Sequence, residues 1–235
     1  MALSGKVFAV TGGASGIGLA TAQILAKRGT TICIADFELL KAPFTITRVD
    51  VSKRDDVDSW IDGIIQKYGR LDGAANVAGI IGKHHGVREV ADPDDDEWHK
   101  IIAVNLTGTM YCLRAQLGKV VNGGSIVNLT ISLGFAKYGA YDAREHGVIG
   151  LTKAAAKENG NREVRVNAVA PGAIYTPLME QAWKIHDRPS DAPFDDTAAF
   201  QRQGTAEECG HVIAFLLGPD SKYVSGSVYS ANGAM

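Results

Sequence analysis

The chain is poor in cysteine, proline and aromatic residues, and neither sign of charge is in excess. Its three cysteines, Cys33, Cys112 and Cys209, are dispersed and set among apolar neighbours. They read as buried thiols of a reducing compartment, which excludes a disulfide scaffold or a thiolate metal centre. Lys and Arg total 24 against 26 Asp and Glu, with no basic block, so neither a nucleic acid nor a membrane surface is an expected partner. No stretch approaches the roughly 18 apolar residues of a membrane span. The opening MALSGKVFAV lacks the charged start and long apolar run of a secretion signal, and a cytoplasmic location is expected. What is abundant is apolar side chain, 46% of 235 residues, together with 27 glycines. That composition suits one large core, a single domain over 1–235.

Short apolar runs alternate with longer amphipathic ones. KVFAV (6–10) and TICIA (31–35) are strand-like, and GIGLATAQILAKRG between them has helical spacing. The alternation continues through FTITRV, a helix near 54–68, LDGAANVAG, a helix near 95–118, SIVNLT, a helix from about 139 to 158, VRVNAVAPG, the helical AEECGHVIAFLLG and a last strand near 227–231. Such a pattern predicts an α/β fold, a doubly wound parallel sheet with helices on both faces. The irregular stretch 178–203 follows a strand end, where open parallel sheets bind ligands, and its Met179, Trp183, Phe194 and Phe200 suit a substrate lid. DPDDDEW (92–98) reads as a solvated helix start rather than a metal site, because acids complement the N-terminal end of the helix dipole. His84 and His85, adjacent on a loop, read as solvent-exposed.

TGGASGIG (11–18) joins the first strand to the first helix. Gly12, Gly16 and Gly18 let the backbone approach a pyrophosphate, and free N–H groups at the helix start bind its charge. The next strand ends in Asp36, in CIADF; a carboxylate there accepts from both hydroxyls of an adenosine ribose and repels a 2′-phosphate. No Arg or Lys stands close by in that loop, so NAD(H) is expected over NADP(H).

With these residues in view, the chain resembles the short-chain dehydrogenase/reductase family along nearly its whole length. TGGASGIG resembles the family's TGxxxGxG, and Asp50-Val51 its adenine-contacting Asp-Val. NVAG (76–79) resembles NNAG with Val77 in place of the second Asn, Asn105 matches the family asparagine, and PGAIYT (171–176) resembles the segment that meets the nicotinamide amide. Residues 204–233 resemble the closing helix and strand. The resemblance implies a Rossmann-type fold and a cofactor site of Gly12, Ser15, Gly16, Ile17, Gly18, Asp36, Phe37, Asp50, Val51, Asn76, Ala78, Gly79, Tyr141, Pro171, Gly172, Ile174 and Thr176. It also implies a homo-oligomer, dimer or tetramer, assembled through the two long helices and the last strand. Two departures stand out: only thirteen residues (37–49) separate Asp36 from Asp50, and the last strand ends SANG.

The family's chemistry uses a tyrosine, a lysine four residues on that lowers its pKa and holds the cofactor ribose, and a serine on the preceding strand. Here YDARE (141–145) aligns Tyr141 with the tyrosine, Arg144 with a motif serine and Glu145 with the lysine. The strand serine falls on Ile131; a local shift would bring Ser132 or Thr130 into its place. One charge at ~5 Å and an effective dielectric of ~20 is worth roughly 3 kcal/mol, so reversing its sign swings the tyrosinate by roughly 6 kcal/mol, at most about four to five pKa units. Beside an ionised Glu145, Tyr141 is expected to donate a hydrogen bond but not to act as a base; alternatively Glu145 is neutral or itself the base. Arg144 either offsets this charge or points to solvent. The expected catalytic set is Tyr141, Glu145, Asn105 and Ser132, and the apolar substrate wall is Ile131, Leu133, Tyr138, Met179 and Trp183 with Ile80 and Ile81. A small hydrophobic substrate follows. Three readings stay open: a non-redox isomerisation, dehydration or cyclisation on a retained NAD(H) fold; a weakened NAD-dependent oxidoreductase of a lipophilic alcohol or ketone; and a non-catalytic NAD-binding subunit.

Overall fold

A computed structural model of the chain describes residues 3–38, 44, 46–130, 136–189, 192 and 198–234. Seven parallel strands form one sheet: β1 (Val7–Thr11), β2 (Thr31–Asp36), β3 (Ile46–Arg48), β4 (Leu71–Asn76), β5 (Val120–Leu129), β6 (Arg165–Pro171) and β9 (Val228–Ala231), in the order β3-β2-β1-β4-β5-β6-β9. The order reverses direction between β1 and β4, which opens a crevice at the carboxyl ends of those strands. Two short strands, β7 (Ile174–Tyr175) and β8 (Gly204–Thr205), pair separately.

The strands read as continuous apolar runs because both faces are covered. On β1, Val7 and Ala9 enter one core with Val57, Trp60, Ile61 and Leu113, while Phe8 and Val10 enter the other with Leu25, Ile213 and Leu216. Helices α1 (Gly16–Lys27) and α7 (Ala206–Leu217) pack together on the second face; α2 (Arg54–Tyr68), α4 (Gly108–Leu117) and α5 (Gly139–Glu158) lie on the first. The long helix expected near 95–118 is α3 (Asp95–Ile101) and α4 joined by a wider π-helical turn, Ile102–Thr107. Part of the stretch read as irregular is regular: α6 (Pro177–Ile185) opens it, with Pro177 at its start and Thr176 Oγ1 accepting from Met179 N–H at 3.3 Å. Among the described residues, no helix is long and apolar enough to cross a membrane.

Candidate active site

The glycine-rich turn is built for close approach. Gly12 has φ +66°, and a Cβ there would lie 2.8 Å from Ala78 Cα; a Cβ on Gly18 would lie 2.1 Å from the Gly12 carbonyl oxygen. Thr11 Oγ1 accepts from Val77 N–H and Ala78 N–H at 3.1 and 3.2 Å, locking the NVAG loop against this turn. Helices α3, α6 and α7 each have a side chain capping their first turn, whereas α1 has neither a side-chain cap nor an acid there. Its first N–H groups are thus left for an anionic ligand, and a dinucleotide pyrophosphate fits that cradle.

Asp36 ends β2 and accepts from Ala14 N–H at 3.0 Å and Glu38 N–H at 3.2 Å, so its carboxylate ties down the turn. In the loop after Asp36, Lys41 lies outside the described residues, and β3 adds a cation from beyond that loop: Arg48 is the cross-strand partner of Asp36, and its guanidinium lies 5.2 Å from the Phe37 ring centroid. Asp50 accepts from Ser52, and Val51 is buried against Gly108. Asn76 turns inward, its amide bonded to Gln116 and Asn128, so this side chain joins β4, α4 and β5 rather than facing the crevice. Gly79, Ile174, Pro171 and Gly172 line the strand ends; a Cβ on Gly172 would meet Asn232 at 2.8 Å.

Helix α5 holds the decisive geometry. Glu145 is fully buried and Arg144 is 7% exposed, and the two side chains form an ion pair. The Arg144 guanidinium stands 4.1 Å from the centroid of the Tyr141 ring. Of the two placements open to Arg144, the structure takes the inward one: a cation accompanies Tyr141 after all, displaced by one residue along the helix. Burial pushes the Tyr141 phenol above the ordinary tyrosine range; Arg144 pulls it down, while Glu145 and Asp142 push it up. At neutral pH Tyr141 is therefore a hydrogen-bond donor.

Asn105 lies in the π-helical turn and is fully buried. Its amide grips Ile80 at both ends, accepting from Ile80 N–H at 2.8 Å and donating to the Ile80 carbonyl at 2.7 Å. It shapes the loop after β4. Thr130 Oγ1 donates to the Glu145 carbonyl at 3.0 Å, which occupies the hydroxyl as a helix anchor. Ile131, Ser132, Leu133 and Phe194 lie outside the described residues. Tyr138, Met179 and Trp183 are half-buried; Tyr138 lines a cavity with Tyr141, and the Tyr175 and Trp183 rings lie 5.9 Å apart.

The histidine pair departs from the solvated reading. His85 is half-buried, edge-on to Tyr138 at 4.5 Å and to Tyr141 at 5.0 Å between ring centroids. Burial, with His186 and Arg144 nearby, lowers its pKa to about 4. His84 is drawn to the start of α3: its N–H donates to Glu97 at 3.1 Å, and Asp94 caps that helix by accepting from Glu97 N–H at 3.0 Å while pairing with Lys83 at 3.0 Å. The acidic run does begin a helix, and it also anchors this loop.

The family model described as enoyl-(acyl carrier protein) reductase matches residues 12–235. A protein of Pyricularia oryzae, short-chain dehydrogenase/reductase ABA4, is 65% identical over 248 residues, 99% of this chain and 92% of that protein. The chain belongs to the short-chain dehydrogenase/reductase family. Among solved structures, a levodione reductase superposes with TM-score 0.90 at 32% identity, covering 98% of this chain and 97% of that one. A short-chain dehydrogenase from Burkholderia cenocepacia in complex with NADP gives TM-score 0.85 at 25% identity, covering 100% and 99%. Short-chain dehydrogenases/reductases bind NAD(P), and the cradle described above fits that role in this member.

Proposed function

We propose that the chain is an NAD(H)-dependent oxidoreductase of a small, largely apolar cyclic ketone or alcohol, working best as a reductase. The observation that carries this reading is the Arg144 guanidinium 4.1 Å from the centroid of the Tyr141 ring. Ketone reduction needs a proton donor and then a cation beside the phenolate left behind. Tyr141 stays protonated and supplies the first; Arg144 supplies the second. Alcohol oxidation would need the phenolate beforehand, which burial disfavours. When bound, the dinucleotide supplies or accepts the hydride. The likeness to a levodione reductase and the half-buried Tyr138, Met179 and Trp183 support a compact apolar substrate.

NAD(H) is preferred because Asp36 would face a 2′-phosphate with like charge; Arg48 softens that preference from the adjacent strand. A homo-oligomer, dimer or tetramer, in the cytoplasm is the expected form, built on the α3–α4 run, α5 and β9.

A second reading keeps the dinucleotide but moves no net hydride: Glu145 shuttles a proton and Tyr141 donates a hydrogen bond, giving an isomerase, dehydratase or cyclase. The full burial of Glu145 favours it. The test follows nicotinamide absorbance and product formation together across a panel of cyclic ketones and alcohols. Ketone loss matched by NADH loss supports the oxidoreductase. Conversion with no cofactor change supports the second reading, and binding without conversion leaves a non-catalytic NAD-binding subunit.

A further inference from the structure

If the chain reduces ketones, as just proposed, the substrate oxygen needs a second hydrogen-bond donor beside Tyr141. The family serine would serve; its position aligns with Ile131, which brings no hydroxyl, and the neighbouring Ser132 lies outside the described residues. The loop after β4 presents a polar group beside Tyr141. His85, Tyr138 and Tyr141 line one cavity together with Trp98 and Ile101. The imidazole meets both tyrosine rings edge-on, at 4.5 and 5.0 Å between centroids.

Its orientation is built in. Gly86, the next residue, has φ +74°, and a Cβ there would fall 2.7 Å from the Tyr138 hydroxyl and 2.8 Å from His186 Nε2. Only glycine lets the loop come this close, and the close approach turns His85 inward. Burial and the neighbouring His186 and Arg144 keep the imidazole neutral near neutral pH. A neutral imidazole carries one N–H donor and one bare nitrogen. Among the described residues, the imidazole packs against the two tyrosine rings, and no hydrogen bond engages either nitrogen. A half-buried imidazole set between two tyrosine rings can offer that N–H to a ligand in the cavity.

We propose that His85 donates a hydrogen bond to the reacting oxygen of the substrate, alongside Tyr141, in place of the serine hydroxyl. The imidazole keeps its proton throughout; the proton that ends on the product oxygen comes from Tyr141. His85 is thus a substrate-binding catalytic residue, and Gly86 is the positioning residue that aims it.

The test compares His85→Phe, which keeps a ring against both tyrosines but removes the donor, with His85→Asn and His85→Gln, which put an amide near the place of Nδ1 and of Nε2 respectively. Two quantities are read with 2,2,6-trimethylcyclohexanone as probe: kcat/KM with NADH, and the calorimetric Kd of the ketone for the NAD-bound protein. His85→Phe should lower kcat/KM by about 10²-fold, the scale for losing one donor to a reacting oxygen, and weaken ketone binding. One of the two amide variants should recover most of both, and the Kd for NADH and the thermal midpoint should not move. If His85→Phe stays within about threefold of the parent in both quantities, or if neither amide recovers them, the proposal is overturned. Should the parent protein bind the ketone but not reduce it, the oxidoreductase reading fails alone, and the binding arm still decides the role of His85. A parent that binds no ketone overturns it too.

Discussion

Replacing Arg144 or Glu145 alone should cost the fold far more than replacing both. The pair is withdrawn from water, with Arg144 7% exposed and Glu145 at 0%, so each charge is offset by the other. Breaking a buried pair from one side costs about 3–5 kcal/mol, while exchanging both partners for apolar residues is often neutral. The two single losses should also differ in pH dependence. In Arg144→Leu, the stranded Glu145 escapes by taking up a proton, which at pH 7 costs about 1.36 × (7 − 4.3), or ~3.7 kcal/mol, against an ordinary glutamate. Its folded pKa is then above the unfolded one, so stability is retained below about pH 4.3 and lost as pH rises, by ~1.4 kcal/mol per unit. At pH 5 the cost falls to ~1 kcal/mol. In Glu145→Leu, the stranded Arg144 cannot deprotonate, so its cost should stay constant between about pH 5 and pH 8. For a domain of 235 residues, each kcal/mol moves the thermal midpoint by about 2–4 °C. Arg144→Leu should therefore melt roughly 7–15 °C below the parent at pH 7 and only roughly 2–4 °C below it at pH 5. Scanning fluorimetry of the parent, both single variants and the double variant at the two pH values measures all of this. Single costs that simply add in the double variant to within ~0.5 kcal/mol, or an Arg144→Leu cost that ignores pH, would refute the buried pair.

Four further outcomes are expected. Because burial lifts Tyr141 above 10.0, ketone reduction should stay level to about pH 9, whereas alcohol oxidation should climb about tenfold per unit with no plateau below about pH 10; a plateau near neutrality contradicts this. Gly18→Ala should abolish NADH fluorescence enhancement, since the added methyl lands on the Gly12 carbonyl; unchanged binding would show that the turn is not the phosphate cradle. Asp36→Ala should weaken NADH and strengthen NADPH, each by about tenfold, and adding Arg48→Ala should reverse the NADPH gain; titrations of the two dinucleotides decide it. Glu145→Lys alone should fold poorly because it buries two cations together, while Arg144→Ser with Glu145→Lys should fold and bring the oxidation plateau below about pH 10; equal behaviour of the two variants argues against the assigned geometry.

The sheet was legible because its cause is local. Val7, Phe8, Ala9 and Val10 are apolar in succession, as a strand buried on both faces requires, and GASGIG carries its own backbone constraint in Gly16 and Gly18. What escaped the sequence depends on contacts between distant segments. Arg48 reaches Asp36 through strand register, twelve residues away (48 − 36) along the chain. Asn76 looked like a crevice residue by position, but Gln116 and Asn128 claim its amide. His85 looked like an exposed loop residue; the signal that it turns inward was Gly86, whose positive φ makes sense only once Tyr138 and His186 are known to press against it.

Helical geometry lets an arginine at position 144 lie against the ring that a lysine at position 145 would also reach. Successive residues turn by about 100° around an α-helix. Positions three and four after Tyr141 therefore fall about 60° to one side and 40° to the other side of it, one turn along. Both are its neighbours, so a cation can move from the fourth position to the third and still lie against the phenol. The carboxylate then takes the more deeply buried slot, and it is tolerated because the guanidinium beside it, planar and always charged, can pair with it and face the aromatic ring at once. In the proposed reaction the electrostatic support of the phenolate would be divided, since Arg144 pairs with Glu145 as well as facing Tyr141. A divided cation would stabilise a phenolate formed late in a reaction better than one required from the start, which is the physical ground for proposing reduction over oxidation.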